Sequence, residues 1–92
     1  RPEAFAVLRE KWERTVDAVL RKTLLTAMAT ARLDEATEFL TRLVSEGNLT
    51  TALEAMRALG RYHNDERVRT AVKAAVETRG GKQLVDAFRE EF

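Results

Sequence analysis

The chain predicts an all-α fold, a small bundle of four to five helices stacked as antiparallel hairpins, and three observations predict it. Apolar residues recur at steps of three and four rather than two, the spacing of one face of an α-helix. A single proline and four glycines among 92 residues leave little material for β-turns. Finally, a pattern occurs twice: a small-residue helix containing Ala-Met runs through a polar break into a helix opened by Asp-Glu. Met28 and Met56 lie 28 residues apart, and Asp34-Glu35 and Asp65-Glu66 lie 31 apart, the spacing of a repeated helical hairpin.

The first helix starts at Pro2, where the missing N–H of proline costs no hydrogen bond. Phe5, Leu8, Trp12, Val16 and Val19 form one apolar stripe, which Leu20, Leu24, Leu25 and Met28 widen into the most buried part of the chain. Glu10 with Arg14 and Asp17 with Arg21 stand four apart on the opposite side as ion pairs. This helix either runs about thirty residues or breaks near Thr23 to Thr26.

Asp34 is the expected N-cap of the second helix, with Glu35 and Glu38 near the positive end of its dipole and Phe39, Leu40, Leu43 and Val44 inward. Gly47-Asn48 stops it, since either residue tolerates a left-handed conformation. Thr51 with Glu54 reads as a capping box for the third helix, with Asn48 competing as the cap. Leu53, Met56 and Leu59 pack inward, and Gly60 ends that helix. Asn64 or Asp65 caps the fourth, whose inner face carries Val68, Ala71, Val72, Ala75 and Val76, and Gly80-Gly81 closes it. Lys82 to Phe92 form a last short helix with Leu84, Val85 and Phe88 inward.

The stretch Thr51 to Glu77 resembles a HEAT-type helical repeat on Leu53, Ala55, Leu59, Gly60, Asp65, Val68 and Ala71. Leu24 to Val44 resembles it more loosely, because Ala31-Arg32 stands where Leu-Gly belongs and the turn is shorter. An irregular bundle remains the alternative. The resemblance implies a protein-interaction scaffold whose concave surface is lined by the second helix of each hairpin. It carries over no catalytic residue.

Ninety-two residues fit one all-helical domain over 1–92, a module in or fragment of a larger protein, as the Arg-Pro start without an initiator methionine also suggests. No apolar run reaches the ~18–20 residues of a membrane span. There is no cysteine, so disulfides and thiolate metal sites are excluded, and an intracellular location, cytoplasm or organelle matrix, is expected.

Enzyme chemistry has few candidates. The single histidine, His63, falls in a polar turn, and the clustered carboxylates at Asp34 and Asp65 are explained by helix capping. No HExxH, phosphate loop or EF-hand occurs, so neither catalysis nor a cofactor nor a small-molecule substrate is expected.

The net charge of +1 conceals a polarity. Residues 1–56 carry eight basic and nine acidic side chains, 57–82 seven and three, and 83–92 one and three. Two binding surfaces are therefore expected: a hydrophobic anchor of Phe5, Leu8, Trp12 and Val16 on the first helix, and a basic surface of Arg57, Arg61, Arg67, Arg69 and Lys73. The expected activity is non-catalytic interaction with another protein or with a second copy, as a homodimer. A nucleic-acid module using the basic hairpin from Arg57 to Lys82 is the alternative. Phe88 and Phe92 offer a way to cover the first-helix stripe within the monomer.

Overall fold

A computed structural model describes residues 2–92. The described residues form six α-helices and no strand: α1 (Pro2–Arg14), α2 (Ala18–Thr30), α3 (Asp34–Glu46), α4 (Leu49–Leu59), α5 (Glu66–Arg79) and α6 (Lys82–Glu91), with a 3₁₀ turn over Gly60–Tyr62. The class is as expected. The helix count exceeds the four to five expected, because the long first helix is two.

The break falls at residues 15–17, not near Thr23 to Thr26. Thr15 and Val16 are adjacent β-branched residues with poor helix propensity, and the Thr15 hydroxyl turns back to donate to the Lys11 carbonyl at 2.6 Å. Asp17 has extended backbone angles, and its carboxylate accepts from the Leu20 N–H at 2.9 Å, capping α2. Arg21 serves the other side of the elbow. Its Nη1 donates to the carbonyls of Trp12 (3.0 Å) and Thr15 (2.9 Å) at the end of α1, where the regular helical bonds stop and the Trp12 carbonyl keeps only a turn bond from the Thr15 N–H, at 3.3 Å. Asp17 and Arg21 thus cap two different helices instead of pairing with each other, whereas Glu10 and Arg14 do pair, at 3.2 Å.

The other boundaries follow from local chemistry. The N-cap of α3 is Leu33, one residue before the expected Asp34, which becomes the first helical residue and sets its charge against the dipole. Asn48, not Thr51, caps α4 by accepting from the Thr51 N–H at 2.9 Å. Asp65 caps α5 through the N–H groups of Arg67 and Val68. Gly47 ends α3 in an extended conformation, so its left-handed freedom is unused. That freedom is used at Gly80 (φ 77°) and Gly81 (φ 102°) and, without glycine, at Arg32 (φ 56°) after α2.

The helices pack in two rows. α3 and α4 form a hairpin about Gly47-Asn48, α1 packs on α2 and α5 on α6; across these pairs, α1 meets α3, α3 meets α5, α2 meets α4 and α4 meets α6. The two Ala-Met helices are therefore neighbours, with Met28 and Met56 both fully buried, and the two Asp-Glu helices are neighbours too. Leu25, Leu40, Val44, Leu59, Val72 and Leu84 complete the centre of the core. Phe39 joins α3 to α1, its ring edge-on to Phe5 and to Trp12 with centroids 5.7 Å apart in each case. Tyr62 reaches from the 3₁₀ turn to donate its hydroxyl to the Ala29 carbonyl in α2. Ala71, expected inward, is exposed on α5.

Candidate functional site

The expected hydrophobic anchor is not a single surface. Phe5 and Trp12 are buried in the protein's own core, and Leu8 is half-buried against it. Val16 alone stands outside, 95% exposed, because the elbow turns it away from the face of α1. Val19 (75%) and Leu20 (40%) lie outside as well, so the region expected to be most buried begins only at Leu24. Phe88 and Phe92 stack on each other with centroids 5.2 Å apart, on the helix that packs against α4 and α5.

The basic residues are also divided. Several of them hold carbonyls or hydroxyls at the ends of other helices. Arg79 donates to the carbonyls of Val44 (3.2 Å) and Gly47 at the C-terminal end of α3. Arg61 donates to the Thr30 hydroxyl at the end of α2, and Arg69 to the Phe92 carbonyl at 3.0 Å beyond α6. Helix C-terminal ends carry about half a unit of negative charge and unpaired carbonyls, so a guanidinium there meets both needs. Lys82 pairs with Asp86 at 3.0 Å. Three of the seven basic residues from Arg57 to Lys82 therefore reach from one helix or turn to the end of another, and Lys82 pairs within its own helix.

Arg57 and Arg61 converge on the groove between α2 and α4. There Lys22 and Thr26 from α2 face Glu54, Arg57, Ala58 and Arg61 across a depression of about 300 Å³. Among the described residues, neither Lys22 nor Arg57 makes a side-chain ion pair. Toward the helix N-termini a second hollow, of about 500 Å³, adjoins it, with Glu54 in the lining of both. Thr15, Val16, Ala18 and Arg21 form one wall of this hollow, and Asn48 to Thr51 the other. Val16 and Leu49 give it exposed apolar surface. One end of the α2–α4 groove thus gathers three cations, and the other mixes exposed Val16 and Leu49 with threonines, Asn48, Arg21 and Glu54.

Arg67 and Lys73 lie elsewhere. Arg67 edges a second groove of about 310 Å³ between α3 and α5, beside Asp34, Glu38 and Asp65, and Lys73 is exposed on α5. The three carboxylates have local work there: Asp65 is the cap of α5, and Asp34 and Glu38 lie near the start of α3. His63 is exposed in the turn, its Nδ1 2.9 Å from the Gly60 carbonyl. Among the described residues, no group of three or more His, Cys, Asp or Glu side chains is placed to hold a metal ion, and no helix is long and apolar enough to cross a membrane.

Lys22 and Leu49 are site residues that sequence reasoning missed. The Met28/Met56 repeat hints that their two helices are neighbours, but its offset of 28 sets Lys22 level with Thr50, so no sequence signal brings Lys22 to Arg57. Comparison with family models, curated proteins and solved structures gave no match.

Proposed function

We propose that this chain is a non-catalytic protein-interaction module that receives its partner in the groove between α2 and α4. The observation that carries this reading is the adjacency of two hollows that share Glu54: one beside exposed Val16 and Leu49, the other lined by Lys22, Arg57 and Arg61. Apolar contact supplies affinity and the cations supply register, the usual division of labour at a protein interface. The alternation of helices in two rows supports reading the chain as stacked helical hairpins of HEAT-like character, an architecture suited to displaying such grooves.

Nucleic acid is the second reading, favoured by the same three cations. Two features weigh against it. Glu54 sits in the wall of the groove, and no aromatic residue is exposed among the described residues to stack on bases.

Selection of a displayed random-peptide library on the immobilised chain tests the first reading. Enriched peptides are expected to lose binding to Arg57→Glu and to Val16→Asp. Failure to enrich any peptide, or enrichment of peptides indifferent to both substitutions, contradicts it. Binding of a random DNA or RNA oligonucleotide that weakens steeply with salt and with Arg57→Glu supports the second reading instead.

A further inference from the structure

We infer that the occupant of the α2–α4 groove is a short acidic–apolar peptide segment of another protein, an inference that rests on the interaction reading above. The charge is the first argument. Three cations and one carboxylate line the cationic end, and the roughly half unit of negative charge at the C-terminal end of each of the two helices leaves a positive surplus. Arg61 is held in place by Thr30, whereas Lys22 and Arg57 are exposed and free of ion pairs among the described residues, so carboxylates on a partner find cations that no internal partner neutralises.

The second argument is the pair of exposed aliphatic side chains beside the hollow. Val16 is fixed outward by the Asp17 cap and the Arg21 contacts on either side of the elbow, so its exposure is built into the fold. With Leu49 across the groove, it offers exposed aliphatic surface against which a branched side chain of a partner packs. Nucleic acid and a wholly acidic chain leave that surface uncovered.

The third argument is spacing. Leu49 and Arg57 stand eight residues apart on α4, about 12 Å at the rise of an α-helix. An extended peptide spans this with about four residues. The segment that fits therefore carries an aliphatic anchor separated by three or four residues from a pair or triplet of carboxylates.

Fluorescence anisotropy with a labelled synthetic peptide tests this directly. The probe carries Leu-Leu, three serines and Glu-Asp-Glu, in both orders, beside a version with lysines for the acids and one with serines for the leucines. Binding in one order is expected, weakened about tenfold or more by Lys22→Glu with Arg57→Glu and several-fold by Val16→Asp. Arg67→Glu and Lys73→Glu, equal changes of charge away from the groove, are expected to alter affinity less than about twofold. Circular dichroism of each variant confirms the helical fold, and Arg57→Gln provides a milder version of the charge change. Equal loss from Lys73→Glu and Arg57→Glu overturns the inference, as does equal affinity for the leucine-free peptide or no binding to either order. Groove-dependent library peptides that lack acidic residues overturn this inference while leaving the interaction reading intact.

Discussion

Trp12 meets the ring of Phe39 edge-on at 5.7 Å, while the guanidinium of Arg21 lies 4.1 Å from its ring centroid. Its Nε1 is buried without an acceptor among the described residues, so its contribution comes from apolar contact and cation–π attraction rather than hydrogen bonding. Trp12→Ala is accordingly expected to cost about 3–5 kcal/mol in urea unfolding. Trp12→Phe, which keeps a ring and removes the unpaired N–H, is expected to cost about 1 kcal/mol. Equal losses would show that the full indole surface, which a smaller ring does not replace, is required there. Arg32 makes a second case at this scale. It holds a left-handed conformation that disfavours any side chain with a Cβ. Arg32→Gly is expected to raise stability by about 0.5 kcal/mol and Arg32→Val to lower it by about 1 kcal/mol, as read by thermal unfolding. A loss on Arg32→Gly would mean that the Tyr62 contact, 5.9 Å from guanidinium to ring centroid, outweighs the backbone strain.

The elbow between α1 and α2 is the element on which the groove depends, because it takes Val16 off the buried face of α1 and leaves it exposed at the edge of the hollow. Removal of its cap by Asp17→Ala is expected to destabilise the protein by about 1 kcal/mol and to speed hydrogen exchange at residues 18–20 before that of Met28. Uniform acceleration along α2 would instead mean that the helix opens as one unit. The existence of most helices was legible in the sequence, through the three-and-four spacing within Phe39, Leu40, Leu43 and Val44 and within Ala52, Met56 and Leu59. The elbow was not legible, since Val16 continues the period set by Phe5, Leu8 and Trp12. What marks the break is the Asp17 cap on the Leu20 N–H, with Arg21 reaching back six and nine residues to carbonyls at the end of α1, and a pattern of apolar positions records neither. The groove was hidden for a similar reason. Lys22 and Arg57 are far apart in the chain and meet only because α2 stacks on α4.

At the scale of the whole molecule, described residues with principal extents of 31 × 26 × 18 Å are held by alternating helix contacts and by arginines that reach from one helix to the end of another. The positive charge gathered in the second half of the sequence thus has two destinations: Arg79 ties the end of α5 to the turn between α3 and α4, while Arg57 faces the groove. Charge counting along the chain treats them alike, and their surroundings separate them. Urea unfolding of single Arg→Gln variants at 57, 67 and 79 measures that division most directly. Arg79→Gln is expected to cost about 1–2 kcal/mol, since it leaves two carbonyls without their donor, and the other two to stay within about 0.5 kcal/mol of the parent. Equal losses at all three positions, or a loss at Arg57 exceeding that at Arg79, would contradict the division of the cations between fold and groove.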